Sequence, residues 1–309
     1  MTPLALGFIG LGAMGAPMAA SLRRAGHALR VHDIRKDLAA PLLANGAAWA
    51  ESPAEAAHGV DVLFTCLPGP AQVEAVALGE GGLLAAMQRG AAWFDLTTNA
   101  PDLVRRLHAS FAAAGIDLLD APVSGGPGGA ASRKLAIWVG GEAAVFDRHE
   151  SLLKTLGDEA MYIGPIGAGS VAKLAHNCAN LSVQIALAES FTMGVAAGLD
   201  PLVLFKALRQ GTTGRARTFD RLAEQFLPGA YDPPAFALEL ARKDMRLALS
   251  LAQAHGVPMQ IAEIAMQEIE AALQRGWGER DARIALTLQE ERAKVSVRID
   301  PKQLRDALE

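Results

Sequence analysis

Cysteine is almost missing from this chain: Cys66 and Cys178 are the only two in 309 residues, and both sit in apolar surroundings. That argues against a disulfide framework, and the pair reads as small core residues in a reducing compartment. Blocks of like charge are missing as well. With 29 Lys and Arg against 33 Asp and Glu, and a formal net charge of −4, the chain offers no footprint for nucleic acid and no patch for an anionic membrane. A basic, apolar, small-residue leader is not seen, because the chain opens straight into the strand-like run LALGFIG. The apolar helical stretch after Gly169 is broken by Lys173, His176, Asn177 and Gln184, too often for a membrane span. There is no internal repeat and no low-complexity tract. A soluble, cytoplasmic protein is expected.

What is present is enough apolar sequence for two cores: 51% of the residues are hydrophobic, over a length that exceeds the usual single core. In the first half, short β-rich runs (LALGFIG, ALRVHD, DVLFTCLP, AAWFDL, IDLLDAP, LAIWVGG) alternate with helical ones (GAPMAASLRRAG, AQVEAVAL, DLVRRLHASFAAAG). Such alternation predicts a doubly wound, mostly parallel sheet. After MYIG the pattern changes to long helical segments at 170–197, 201–210, 237–255 and 261–275, with no convincing strand. Gly164, Pro165, Gly167 and Gly169 punctuate the join, so the domains are expected at 1–165 and 166–309. The closing RIDPKQLRDALE is left open as an ordered or a frayed tail.

GFIGLGAMGAPMAASL places Gly10, Gly12 and Gly15 in G-x-G-x-x-G spacing, after one strand and at the opening of a helix. The first glycine makes a tight turn, the second lets backbone approach a pyrophosphate, and the third permits close helix–strand packing. The helix N-terminus then faces the phosphates with free N–H groups. The next strand ends in Asp33, whose carboxylate suits an unphosphorylated ribose and repels a 2′-phosphate, so NAD is favoured over NADP. Arg35, two residues on, keeps a phosphate partner in view, and Asp33 also fits a plain turn ahead of IRKDLAA.

Other segments admit two readings on their residues alone. Leu67 and Pro68 stand at a strand's carboxyl end, where ligands of doubly wound sheets bind, or in a simple turn. In DLTTNAP, Thr98 or Asn99 is placed to cap the following helix. In APVSGGPGG, Ser124 brings a hydroxyl while Gly125 and Gly126 let backbone N–H groups face a carboxylate, unless the stretch is an ordinary Gly-rich loop. In AKLAHNCANLSVQ, Lys173, Asn177, Asn180 and Gln184 share one helix face, and no charged residue follows from Leu174 to Ala188. Lys173 therefore either snorkels out to water or works. His176 lies on a neighbouring face as a local or core histidine, with no ligand-type residue at metal spacing, and no metal is expected. Lys243 and Asp244 read as a solvated charged turn.

Taken together, four motifs resemble the β-hydroxyacid dehydrogenases, a family that includes 3-hydroxyisobutyrate dehydrogenase, tartronate semialdehyde reductase and L-threonate dehydrogenase. They are GFIGLGAMGAPMA, DAPVSGG (Asp120 to Gly126), GPIGAGSVAKLAHN (Gly164 to Asn177) and FALELARKD (Phe236 to Asp244), in that order, within a resemblance running from Leu6 to about Val297. The resemblance implies a Rossmann-type α/β domain followed by an all-α C-terminal domain that carries the substrate cleft and oligomerisation. It implies cofactor contacts from Gly10, Leu11, Gly12, Ala13, Met14, Gly15, Asp33, Leu67, Pro68, Thr98 and Lys243, and substrate contacts from Ser124, Gly125 and Gly126. It also implies that Lys173 passes a proton to and from the substrate oxygen while Asn177 holds the substrate, interconverting a small β-hydroxy acid and its semialdehyde. Asn180 and Gln184 fall to helix packing or a subunit interface. The helical domain has more apolar faces than it can bury alone, so a homodimer or homotetramer is expected.

The pattern is broken in two places. GAASRKL carries Arg133 and Lys134 where Gly and Thr are common, and GTTGRARTFD carries Arg215 where a small hydroxyl residue is common. Two rival readings remain. An imine reductase-like NADPH enzyme shares the architecture but usually lacks the lysine, and so does a non-catalytic dinucleotide-binding module of the same fold. The 6-phosphogluconate dehydrogenase relatives have a larger helical domain than this length accommodates.

Overall fold

Short runs rich in Val, Leu and Phe become strands where both faces are covered. In the computed structural model, which describes residues 3–215, 220–239, 241, 242, 245, 249, 252, 253, 256–294 and 296–308, these runs form one nine-stranded sheet. Its strands are β1 (Ala5–Ile9), β2 (Ala28–His32), β3 (Ala48–Trp49), β4 (Val62–Thr65), β5 (Ala92–Asp95), β6 (Asp117–Asp120), β7 (Val123–Ser124), β8 (Ala136–Gly140) and β9 (Glu159–Gly164). The order is β3-β2-β1-β4-β5-β6-β8-β7, with β9 also paired to β8. Pairing is parallel from β3 to β6 and between β8 and β9, while β8 runs antiparallel to both β6 and β7.

Register explains the two cores. Phe8, Phe64 and Phe94 are cross-strand partners on β1, β4 and β5, and their rings stack at 6.0 and 5.6 Å on one face of the sheet. One residue earlier, Leu63 and Trp93 pair and point the other way, where Trp93 meets Phe111 of the helix Pro101–Ala113. Every residue of β4 and β5 is buried, as expected of central parallel strands covered on both faces.

Beyond β9 the chain turns helical, and among the described residues no strand follows, only an isolated bridge between Ala237 and Asp281. The helix Ala168–Ala196 is followed by Pro201–Gln210, which Asp200 caps through Val203 N–H with Pro201 in the first turn. Further on come Gln260–Leu273, Thr287–Ala293 and Pro301–Leu308. A small core of Tyr231, Leu238, Ala272, Ile284 and Leu288 holds this part. Buried Asp281 ties it together by accepting N–H bonds from Ala235, Phe236 and Arg283 and pairing with the Arg283 guanidinium. The chain divides into two compact units, Met1–Ala179 and Asn180–Glu309, a division that falls inside Ala168–Ala196.

One local expectation changes and another, left open, is decided. The Gly-rich SGGPGG is not simply a loop, since Ser124 ends β7 and Gly126–Ser132 is helical. The tail RIDPKQLRDALE is ordered as the helix Pro301–Leu308. Between 237 and 255 the described positions are helical from Leu238, but Lys243 and Asp244 lie outside the described residues.

Arg133 receives a physical account here. It follows Gly126–Ser132 with φ +60° and ψ 38°, the left-handed conformation in which helices commonly end on glycine. A residue with a Cβ is strained there by ~1 kcal/mol. Arg133→Gly is therefore expected to stabilise the protein by about 0.5 kcal/mol, part of the relief being offset by the freer unfolded chain. Urea unfolding measures it, and an unchanged or lower midpoint refutes it.

Candidate cofactor and substrate site

The strand order reverses between β1 and β4, the place where doubly wound sheets bind dinucleotides. β1 hands over to the glycine loop at Gly10, whose φ of +95° and closeness to the Cys66 carbonyl exclude a side chain. Gly15 opens the helix Gly15–Arg24 against the Gly10 carbonyl, again leaving no space for a Cβ. Gly12 differs. Its φ is not positive and a Cβ there would meet nothing within 4 Å, so its bareness serves no internal contact and leaves a cradle open. Backbone flanked by a helix N-terminus suits a pyrophosphate, and a dinucleotide fits the residues present.

A groove of about 620 Å³ runs past this loop. Gly10, Gly12, Ala13, Met14 and Gly15 line its middle, Asp33, Ile34 and Arg35 one part, and Cys66, Leu67 and Pro68 another. Leu11 departs from the expected set, because its side chain is buried in the core and its N–H is held by Asp33. The Asp33 carboxylate accepts from Leu11 N at 2.6 Å with one oxygen and from Arg35 N at 2.8 Å with the other. It thus fixes the loop to the end of β2, and each oxygen retains a lone pair.

At the ends of β4 and β5 the polar groups form a closed network. Asp95, buried, accepts from Thr65 Oγ1 at 2.9 Å, from Thr97 N at 3.1 Å and from Asn99 Nδ2 at 2.9 Å. Thr97 Oγ1 in turn accepts Leu67 N–H at 3.0 Å, which holds the groove-lining backbone in place. Thr98 stands exposed beside this network. Neither Thr98 nor Asn99 caps the next helix, which begins at Pro101 after Ala100 without a side-chain cap.

The lysine centre is built on β8. Asp120, the last residue of β6, accepts Gly167 N–H at 2.7 Å and Ser170 N–H at 2.6 Å, clamping the first turn of Ala168–Ala196. Gly140 and Gly169 allow this approach, since a Cβ on Gly140 would strike the Asp120 carboxylate and one on Gly169 the Trp138 carbonyl. One turn on, Lys173 is only 9% exposed, with Nζ 5.9 Å from the centroid of the Trp138 ring. Burial pulls its pKa below the ordinary lysine value. His176 packs its ring 5.1 Å from that of Trp138, and its Nδ1 lies 3.2 Å from Asn177 Oδ1, so Asn177 has a local partner.

Register puts Ser124 on the same face of the sheet. It pairs with Ala136, and Trp138 is two residues along β8, so Ser124 and Trp138 share the face that Lys173 covers. Gly125 and Gly126 follow with φ of +134° and +63°, both exposed. Trp138 was missed by the sequence reading, although a tryptophan on the alternate face of LAIWVGG was the available signal. Lys243 lies outside the described residues. Among the described residues no group of three His, Cys, Asp or Glu is placed to hold a metal, and no helix is long and apolar enough to cross a membrane.

Two family models match this chain: the NAD binding domain of 6-phosphogluconate dehydrogenase over residues 5–164, and the NAD-binding domain of NADP-dependent 3-hydroxyisobutyrate dehydrogenase over residues 167–288. The chain is 36% identical to an NAD-dependent L-serine dehydrogenase of Pseudomonas aeruginosa over 282 residues, 89% of this chain and 94% of that one. It is 38% identical to a 3-hydroxyisobutyrate dehydrogenase of the same organism over 259 residues, 82% of this chain and 86% of the relative. An imine reductase from Myxococcus stipitatus, solved with NADP+, superposes with a TM-score of 0.81 over 92% of this chain and 99% of its own, at 22% identity, a likeness of fold alone.

Proposed function

This chain belongs to the β-hydroxyacid dehydrogenase family, NAD(P)-dependent enzymes acting on a CH–OH group, and from that premise we propose that it interconverts a small β-hydroxy acid and its semialdehyde with NAD, using Lys173 as proton donor and acceptor. The observation that carries this reading is a buried lysine, its pKa lowered, packed on the face of the sheet that Trp138 of β8 shares with Ser124 of β7. A lysine so placed is nearer to releasing its proton at working pH than a solvated one, which general acid–base catalysis requires.

The relatives named above act on L-serine and 3-hydroxyisobutyrate, which share a carboxylate and a primary alcohol one carbon further along. On this chain Ser124 Oγ and the N–H groups of Gly125 and Gly126 take the carboxylate. Lys173 Nζ takes the hydroxyl proton in the oxidative direction and returns it to the carbonyl oxygen in the reductive one. Asn177, one helical turn on, orients the substrate. The bound nicotinamide supplies the hydride acceptor or donor. Residues 1–165 hold the cofactor, and 166–309 assemble a homodimer or homotetramer, a reading supported by the exposed Leu202, Val203 and Phe205. The scarcity of cysteine supports a cytoplasmic setting.

Asp33 supports NAD over NADP, because the lone pairs it retains suit ribose hydroxyls and its charge opposes a 2′-phosphate. Arg35, on the same groove, is the side chain that favours NADP. The test is NAD- and NADP-linked oxidation of a panel of small β-hydroxy acids. We expect kcat/KM at least about tenfold higher with NAD, and a gap narrowed to a few-fold by Asp33→Ser. A clear NADP preference in the native protein overturns the cofactor assignment, and no turnover of any acid in the panel overturns the substrate class.

A further inference from the structure

Asp95 has no role in the proton transfer just described, yet it is among the most enclosed carboxyl groups of the sheet, only 1% exposed. The hydrogen bonds around it run in one direction. Thr65 Oγ1 accepts from Trp93 Nε1 at 2.9 Å, which leaves its own proton for Asp95 at 2.9 Å. Thr97 donates its N–H, and its hydroxyl oxygen accepts from Leu67 N. The Asn99 amide is fixed the same way round, because its Oδ1 accepts Ala100 N–H at 2.8 Å and only its NH₂ is left to face Asp95. A shell made of donors suits a carboxylate and gives a carboxylic proton no acceptor. Burial is the larger influence and raises the Asp95 pKa on balance, and the bonds from Thr97, Asn99 and Thr65 oppose that rise. Among the described residues no Lys or Arg pairs with it.

Asp95 is within electrostatic reach of the groove. Cys66 lines it, and that thiol is pushed up to about 12, first by its burial and then by the negative charge of Asp95. Asp95 ends β5 in register with Thr65 at the end of β4, and Thr65 with Ile9, the residue before the glycine loop. A dinucleotide that straddles the strand-order reversal has one half toward β2 and Asp33 and the other toward β4 and β5. Asp95 lies on that second side, the one the dinucleotide reading assigns to the nicotinamide half.

We propose that Asp95 is a fixed negative charge that biases the groove toward the oxidised dinucleotide, whose nicotinamide ring is cationic, over the reduced one, whose ring is neutral. The proposal rests on the dinucleotide reading of the groove. Asp95 acts as a positioning and electrostatic residue, holding Leu67 through Thr97 and supplying the field. Binding that prefers one redox state shifts the equilibrium on the enzyme by the same factor.

The test needs no turnover. Dissociation constants for NAD⁺ and NADH are measured separately on the full chain, by tryptophan quenching and by reduced-nicotinamide fluorescence. Asp95→Asn should weaken NAD⁺ about five- to tenfold and NADH less than twofold, raising their ratio. Asn99→Leu, which removes a donor and keeps the charge, should leave the ratio unchanged. Asp95→Ser, with space for a water among the same donors, gives a second neutral variant should the asparagine fail to fold. A neutral variant that weakens both cofactors alike, or neither, shows Asp95 to be structural only and overturns the proposal. So does an Asn99→Leu shift as large as that of Asp95→Asn. Failure of the native protein to bind either cofactor overturns the groove assignment as well.

Discussion

Lys173→Met is expected to slow single-turnover oxidation of the hydroxy acid by ~10²–10⁴-fold at saturating cofactor, the range that a positioned general acid–base group contributes. Methionine matches the lysine stem in length and suits a buried helix face beside Trp138, so folding is preserved. The same variant should melt about 2–4 °C higher at neutral pH, because an ammonium is no longer taken out of water. The sign follows from the direction of the shift. Burial lowers the folded-state pKa of Lys173, so the unfolded chain binds the proton more readily, and native stability rises as pH climbs between the folded and the unfolded value. The advantage of the methionine variant should therefore shrink as pH approaches the ordinary lysine range, near ~10.4. A lysine that merely snorkels predicts near-native turnover and no gain in melting temperature. Turnover within a few-fold of native removes Lys173 from the mechanism.

The largest loss of stability is expected at Asp120. Its two carboxylate oxygens each take one backbone N–H at the start of Ala168–Ala196, and the site is buried. Asp120→Ala removes a helix cap and leaves two N–H groups without partners, a combined cost of about 3–5 kcal/mol. Asp120→Asn keeps one acceptor oxygen and should lose roughly half of that. Denaturant unfolding of the full chain gives the number. A loss below about 1 kcal/mol for the alanine variant means the helix is seated by other contacts. Turnover should fall alongside stability, because Lys173 is carried on the turn that Asp120 secures.

Legibility in the sequence followed the length and contrast of each signal. β1, β2, β4, β5, β6 and β8 were visible as apolar runs, and so was Pro201–Gln210, with its Asp-Pro start. β3 and β7 are two residues each, too short for any periodicity, and β9 (EAMYIG) is half exposed and shows no clean alternation. The helix Gly126–Ser132 was hidden by composition, since glycine and proline mark loops on average and here mark a helix start. Within the site, the glycine loop was legible because its demands are steric and local. Trp138, Asp95 and the Asp120 clamp were not, because each takes its meaning from register. Trp138 matters through Ser124 on the neighbouring strand, Asp95 through Leu67 across two strand ends, and Asp120 through amides roughly fifty residues later.

The clamp at Asp120 also bears on how readily the chemistry can be exchanged. What it grips are main-chain amides of residues 167 and 170, and every residue except proline presents one. The seat therefore fixes no particular side chain at position 173, although position 169 stays glycine because a Cβ there would strike the Trp138 carbonyl. Mutation is free to sample other groups at position 173 while the helix keeps its register on the sheet. A scaffold of this kind separates the inheritance of its architecture from that of the side chain it presents at position 173.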